Sequence, residues 1–310
     1  MMVAVIKNYD IQAIKHAVCL AEKHEKFKIN GLFAGEIHQL KKDAPELYGK
    51  VNELISVGRW NPCAGMWSSC GEKISEEALC RNILYSAQEL KKEYHVFYGV
   101  DYYNASLAKC VYAGRFDAAI IEAAKQNHWL ECADGSRVLV LAADSFTDVL
   151  SLNDEKAKEN EFMTFEEYSK AVLLSPLDLP TVKSGFEPKA YTDDEKKLLD
   201  FERAAVQKKE DVREQVKALW LSREKCTADV QPKDNVKIDV SGVELVAFKL
   251  AEDGTGDTVI RVRETDGRET PVRLICDDIE AAFRFEILPY ETITFRVDAQ
   301  GYVTETFIQE

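Results

Sequence analysis

The sequence has no apolar run approaching the roughly 20 residues that a membrane-spanning helix needs, so it does not predict an integral membrane protein. Its first apolar stretch, residues 1–7, is too short for the core of a signal peptide and has no cleavage-like site of small residues. We therefore expect a cytoplasmic protein that makes no contact with a membrane.

Cys-x-x-Cys pairs are also absent, and the eight cysteines are scattered along the chain. Without a secretory signal, this pattern predicts buried thiols rather than a disulfide framework. A zinc site formed by Cys63, Cys70 and Cys80 is an alternative, although their spacings match no standard zinc knuckle.

Positive charge is scarce, with 40 Lys and Arg against 54 Asp and Glu, which gives a net charge of −14. Such a surface repels phosphate backbones, so we expect no nucleic-acid partner. The sequence contains no Gly-rich phosphate loop, nucleophile elbow or His-Glu-x-x-His motif, which excludes the enzyme classes that depend on them.

The first 150 residues contain alternating helix and strand patterns. Helices are predicted from Ile11, after Pro45 and after Ser75, where a serine precedes the apolar period. Strands are predicted near residues 27–33, 95–100, 118–121 and 137–141. Strands alternating with helices predict an α/β layer architecture with parallel pairing, and the first 57 residues predict helix, strand, helix.

The remainder divides into two further parts. Residues 151–190 lose periodicity and carry three of the eight prolines, which predicts an irregular connector. A capping box, Thr192 to Glu195, opens one long helix that we expect to end near Arg223. From residue 231 onwards, runs rich in Val, Ile, Phe and Thr predict an antiparallel β module.

Several motifs resemble those of the α-mannosidases of glycoside hydrolase family 38. Residues 58–67 (Gly-Arg-Trp-Asn-Pro-Cys-Ala-Gly-Met-Trp) are similar to its Trp-x-Pro-x-Gly-Gly-Met-Trp turn, and residues 76–85 are similar to the helix after that turn. Residues 100–107, 129–141 and 247–264 resemble later segments of the family, in the same order. The resemblance implies an α/β domain like part of a (β/α) barrel over residues 1–150. A connector with a long helix would follow over 151–230, and a C-terminal β-sandwich-like module over 231–310.

The family's reaction, as the resemblance implies, is retaining hydrolysis of α-mannosides, in which zinc binds the sugar hydroxyls. Asp101 matches the nucleophile position, which in the family is also a zinc ligand. The histidines lie at residues 16, 24, 38, 95 and 128, so the family's histidine ligands have no counterparts here. We therefore expect impaired or lost hydrolysis and no cofactor.

The first interpretation is therefore a scaffold that binds a mannoside or another glycan without cleaving it. Two alternatives remain open. One is an active zinc-dependent α-mannosidase whose metal site is rebuilt from Asp101, Asp10 and Glu187. The other is a non-catalytic structural or interaction protein. Trp60, Trp67 and Trp129 are candidates to stack on sugar rings, with core packing as their ordinary role. A homo-oligomer is also expected, because a shortened scaffold exposes surface that missing sections would cover.

Overall fold

The structure, a computed structural model, describes residues 2–68, 75–99, 116–122, 124–131, 135, 137–143, 146–175, 178–183, 191–222, 225–228 and 230–306. The helices in these ranges are α1 (Ile11–Lys23), α2 (Ala34–Asp43), α3 (Pro45–Ser56), α4 (Glu76–Leu90), α5 (Asp154–Glu159), α6 (Phe165–Leu173), α7 (Asp193–Gln207) and α8 (Arg213–Ser222). The strands are β1 (Val3–Ile6), β2 (Ile29–Gly31), β3 (Trp60–Asn61), β4 (Val96–Gly99), β5 (Ala118–Ile121), β6 (His128–Glu131), β7 (Arg137–Ala142), β8 (Phe146–Asp148), β9 (Thr181–Lys183), β10 (Val236–Ile238), β11 (Val243–Leu250), β12 (Thr258–Glu264), β13 (Thr270–Cys276), β14 (Ala281–Ile287), β15 (Thr292–Val297) and β16 (Val303–Thr306).

The fold is mixed α/β, with both parallel and antiparallel sheets. One N-terminal sheet has the order β3-β2-β1-β8, and every pair in it is parallel. The other has the order β4-β5-β7-β6-β9, in which β6 runs antiparallel to β7. The chain passes from β7 into β8 over residues 143–145, so one short connection joins the two sheets.

Each N-terminal sheet has two buried faces, as parallel sheets in α/β proteins generally do. In β1, Ala4 and Ile6 pack with apolar residues of α1 to α3, whereas Val3 and Val5 pack with residues of β4, β5 and β7. The alternating sides follow from the two-residue period of a strand. The cluster between the two sheets also contains Phe165, at the start of α6.

The strand β1 is absent from the sequence prediction for this region. Its four residues, Val-Ala-Val-Ile, are all apolar and all buried, so they lack the alternation that identifies a strand with one solvated face. The helices α1 and α3 agree with their predicted positions, and Pro45 stands in the first turn of α3 as expected.

Residues 151–190 were expected to form an irregular connector, and this expectation is wrong for the described part of the segment. It contains α5, α6 and β9. The start of α6 is fixed by a capping box between Thr164 and Glu167 and by the buried Asn30 side chain, which accepts from the Phe165 N–H at 2.7 Å. The short length of these elements hides their periodicity in the sequence.

The long helix predicted from Thr192 is in fact two helices, α7 and α8. Lys209 adopts a left-handed conformation (φ 59°) just after the end of α7. The Asp211 side chain then accepts from the Arg213 N–H at 3.1 Å, which begins α8. The apolar period continues through the break, which is why the sequence pattern predicts one helix.

The C-terminal residues form two antiparallel sheets, β10-β13-β14 and β11-β12-β15-β16. Both sheets contribute to one buried cluster, with Val272 and Leu274 from the first and Ile260 and Phe295 from the second. The antiparallel pairing of this part agrees with the sequence prediction, and residues 236–250 form two strands separated by a turn. No helix in the described residues is long and apolar enough to cross a membrane.

Candidate functional site

Segments that follow β2 and β3 meet the end of β4 inside the N-terminal region. Phe33 follows β2, Cys63 follows β3, and Tyr98 is the penultimate residue of β4; all three belong to the cluster between the sheets. The carboxyl ends of parallel strands are where α/β proteins commonly present functional side chains. We call these residues, together with Glu36, Trp67 and Glu122, the strand-end region.

Trp60 lies within the core. Its side chain belongs to the cluster between the first sheet and its helices, and the residue is 1% exposed. The indole N–H donates to the Gly31 carbonyl oxygen at 2.9 Å, which satisfies its polar atom inside the protein. Stacking on a sugar would need a ring face open to solvent, and Trp60 has none in this arrangement.

Trp67 is placed differently, at the surface beyond β3, and is 37% exposed. Its indole lies directly against the backbone of Gly35, because a Cβ atom on Gly35 would come within 2.5 Å of the ring carbons Cζ3 and Cη2. Asn82 of α4 holds the loop in place: its Oδ1 accepts from the Trp67 N–H at 3.1 Å and its Nδ2 donates to the Trp67 carbonyl at 3.0 Å. The indole ring therefore packs against the backbone of Gly35, and the hydrogen bonds with Asn82 fix the backbone of Trp67.

Trp129 occupies β6 and is half-buried against the cluster between the sheets. It pairs with Leu139 of β7 on one side and with Thr181 of β9 on the other. Because β6 lies between β7 and β9, Trp129 belongs to the sheet and not to a loop at its edge.

Asp10 caps α1, and its carboxylate accepts from the Gln12 N–H at 2.8 Å. Asp101 and Glu187, the other candidate zinc ligands, lie outside the described residues. Within the described ranges, no three His, Cys, Asp or Glu side chains come together as a metal would require. Cys70 of the cysteine alternative also lies outside the described residues.

Glu36 is a carboxyl group of the strand-end region that the sequence reasoning missed. It lies in the first turn of α2, and its Oε2 accepts from the Phe33 N–H at 2.9 Å. Burial raises the pKa of Glu36 above its ordinary value of 4.5, and this effect outweighs the backbone hydrogen bond. A glutamate three residues after the N-cap of a helix indicates only capping, so the sequence gives no signal that the pKa of Glu36 is raised.

Tyr98 and Glu122 form a second pair that the sequence reasoning did not single out. The Tyr98 hydroxyl donates to Oε1 of Glu122. Tyr98 is 2% exposed, and its ring stacks on Phe165 with the centroids 5.1 Å apart and the planes at 10°. Glu122 is half-buried and follows β5 directly, where its N–H donates to the Gly99 carbonyl at 3.0 Å.

A separate network of charges lies in the interior beside α4. Arg81 donates to Glu77 at 2.6 Å and to both carboxylate oxygens of Glu202 at 2.8 Å, while Arg261 pairs with the other oxygen of Glu77. Because these residues come from α4, α7 and β12, the network joins the N-terminal region to the C-terminal sheets. We call Glu77, Arg81, Glu202 and Arg261 the charge network.

Lys249 of β11 lies next to the charge network and is 1% exposed. Burial and the nearby charge of Arg81 lower its pKa from 10.5 to about 8, although Glu252 accepts from its Nζ at 2.6 Å. The network's carboxylates face arginines within it, and Lys249 faces Glu252, so these ion pairs hold parts of the chain together.

No protein-family model matches the sequence, and neither does any curated protein. Among solved structures, the chain is similar to a protein in glycosyl hydrolase family 38 from Enterococcus faecalis, with a TM-score of 0.54 and 14% identity over 73% of this chain and 35% of that one. It is also similar to an alpha-mannosidase from Enterococcus faecalis V583, with a TM-score of 0.52 and 16% identity over 68% of this chain and 35% of that one. The chain thus spans about a third of each of these proteins, and the likeness concerns the fold.

Proposed function

We propose that the chain is an α-mannosidase-like, carbohydrate-active protein that binds a mannoside or another glycan and has impaired or lost hydrolysis. One observation carries the proposal: a fold like that of family 38 structures occurs together with a sequence that offers no histidine for a metal at the strand ends. A zinc-dependent glycosidase needs several positioned ligands besides open positions for the substrate.

The positions of the histidines support the loss of a metal site. His16 lies in α1 and makes a hydrogen bond to the Leu152 carbonyl at 2.9 Å, and His38 lies in α2 beside Glu89. His24 follows α1, His95 precedes β4, and His128 begins β6. None of the five histidines thus directly follows the carboxyl end of a strand.

We further propose that the N-terminal sheets form part of a distorted (β/α) barrel and that the C-terminal sheets form a sandwich. The cluster shared by β1, β4, β5 and β7 and the short connection between β7 and β8 support the first arrangement. The cluster shared by the two antiparallel sheets supports the second. The strand ends of the barrel would then surround the sugar.

Trp67 is the aromatic side chain best placed to stack on a pyranose. Its ring is exposed and supported by Gly35, and Asn82 fixes its backbone, so binding would cost little ordering entropy. Trp129 would line the side of the site from β6. Trp60 would act through packing of the first sheet.

The main alternative is an active α-mannosidase in which Asp101, Asp10 and Glu187 rebuild the zinc site. A retaining enzyme also needs two carboxyl groups about 5 Å apart. The other alternative is a structural protein without sugar contacts, for which the extensive charge network is the favouring observation.

Turnover of 4-nitrophenyl α-mannoside with added zinc tests the loss of hydrolysis, with Asp101→Ala as the matched control. We expect the wild type and Asp101→Ala to release nitrophenol at the same background rate. Wild-type turnover that Asp101→Ala abolishes, together with stoichiometric zinc in the purified protein, would establish the active alternative.

Titration with methyl α-mannoside tests glycan binding. We expect saturable binding that Trp67→Ala abolishes and Trp67→Phe retains, because a phenyl ring still offers a stacking face. Absence of binding to mannosides and to a panel of other glycans would favour the structural alternative. A cytoplasmic location, a homo-oligomeric state and the lack of membrane and nucleic-acid partners complete the proposal.

A further inference from the structure

Glu122 differs from Glu166 and from the carboxylates of the charge network in what surrounds it. Glu166 lies 3.3 Å from Lys92, and the carboxylates of the charge network face arginines. Within the described part of the chain, Glu122 forms no ion pair with lysine or arginine, and its side chain is bonded to the Tyr98 hydroxyl alone. A half-buried carboxylate loses hydration without gaining a cation.

The position of this carboxylate is fixed from two directions. The Glu122 N–H donates to Gly99, which keeps its backbone beside the end of β4. The phenol that holds Oε1 belongs to a buried ring stacked on Phe165, so it cannot swing away. One carboxylate oxygen is thus held in the interior, while the residue remains partly exposed at the carboxyl end of β5.

From this geometry we propose that Glu122 contacts the bound glycan and favours a positively charged amino sugar over its neutral counterpart. The inference rests on the proposed glycan binding and deepens it by naming the class of sugar. An ammonium group on the ring would form a charge-assisted hydrogen bond with the Glu122 carboxylate, which has no lysine or arginine partner among the described residues. The net charge of −14 would also favour the approach of a cationic ligand.

The competing explanation is that the hydrogen bond between Tyr98 and Glu122 serves only to stabilise the strand ends. In that case, Glu122→Gln would change the unfolding temperature without changing any preference among ligands. A preference measured as a ratio between two sugars separates these roles, because a purely structural effect alters both affinities together.

The experiment compares mannosamine with mannose, its neutral counterpart, by calorimetric titration of the full chain at pH 6.5. We expect the wild type to bind mannosamine about tenfold more tightly, as one charge-assisted hydrogen bond would give. Glu122→Gln should reduce this ratio to about one, because a neutral amide cannot form a charge-assisted hydrogen bond with the ammonium group. Tyr98→Phe, which keeps the stacked ring, should reduce the ratio in part.

Glu155→Gln is the control for overall charge, because Glu155 is exposed on α5 and its replacement changes the net charge equally. We expect it to keep the wild-type ratio. If the wild type binds mannose but Glu122→Gln retains the preference, or no preference exists, the inference is wrong and glycan binding stands. If the wild type binds neither sugar nor any other glycan, both the proposed glycan binding and the inference are wrong.

Discussion

Arg81 and Glu202 face each other in a bidentate ion pair, with both N–O distances at 2.8 Å, although 121 residues separate them in the chain. Both residues are buried, at 1% and 5% exposure. The cation also lies over the ring of Trp220, with its Cζ 5.5 Å from the ring centroid. This one guanidinium therefore connects α4, α7 and α8.

Replacing Arg81 should destabilise the protein strongly. Arg81→Met keeps most of the side-chain volume but leaves Glu202 buried without its cation, and Glu77 with Arg261 alone. We expect a loss of about 3–5 kcal/mol in the free energy of unfolding, as for other broken buried pairs. Urea denaturation measures it.

The matched control is the exposed pair of Lys50 and Glu22, whose side chains are 53% and 52% exposed. Because water screens that pair, Lys50→Met should cost less than about 1 kcal/mol. Equal effects of the two substitutions would show that the charge network contributes no more than a surface ion pair.

The buried carboxylate of Glu77 makes the free energy of unfolding depend on pH. Burial alone would raise its pKa, but the charges of Arg261 and Arg81 outweigh burial and lower the pKa from 4.5 to about 2. Since the folded-state value lies below the unfolded one, Glu77 contributes stability above pH 4.5 that is lost as the pH falls towards 2. Glu77→Gln should therefore flatten the dependence of unfolding free energy on pH in this window. An unchanged slope between pH 4.5 and 2 would contradict this role for Glu77.

The sequence predicts local features of this fold well and distant ones poorly. Ser75 and Thr192 cap α4 and α7 as their patterns predict, because capping is a contact between residues three positions apart. Nothing in the neighbourhood of Arg81 predicts Glu202 as its partner, because that pairing depends on how α4 and α7 pack.

In the candidate site, too, the sequence predicts local features but not those that depend on distant parts of the chain. The motif around residues 58–67 singles out Trp60 and Trp67 equally, yet one indole is in the core and the other is at the surface. Their difference comes from the neighbours, Gly31 and Gly35, which belong to another part of the chain. Glu122 carries no motif, and only the pairing of β4 with β5 brings it to Tyr98.

Glu36 should respond to pH in the direction opposite to Glu77. Burial raises its folded-state pKa above 4.5, so the stability associated with its protonated form is present below pH 4.5 and is lost as the pH rises through the folded value. Glu36→Gln has no charge to bury and keeps an oxygen that accepts from the Phe33 N–H. We expect the variant to be more stable than the wild type at pH 7 and equal to it at pH 4. Thermal unfolding at the two pH values measures this, and a variant less stable at pH 7 would be contrary to expectation.

The close approach of Gly35 and Trp67 gives the last prediction. Alanine at position 35 would place its Cβ 2.5 Å from the indole and 2.6 Å from the Met66 carbonyl oxygen, so the loop itself must shift. We expect Gly35→Ala to cost about 1–3 kcal/mol, as overpacking does, and to move Trp67 fluorescence to longer wavelength. Measuring the shift again in a Trp67→Phe background, where it should vanish, assigns it to this residue.

Gly49 supplies the control, because it also lies in a helix but a Cβ there meets no atom within 4 Å. Gly49→Ala should stabilise the protein by about 0.5–1 kcal/mol, since alanine loses less backbone entropy in a helix. If the two alanine variants behaved alike, the indole would not rest on Gly35. The supported platform proposed for sugar binding would then lose its physical basis, because an unsupported ring would have to be ordered by the ligand itself.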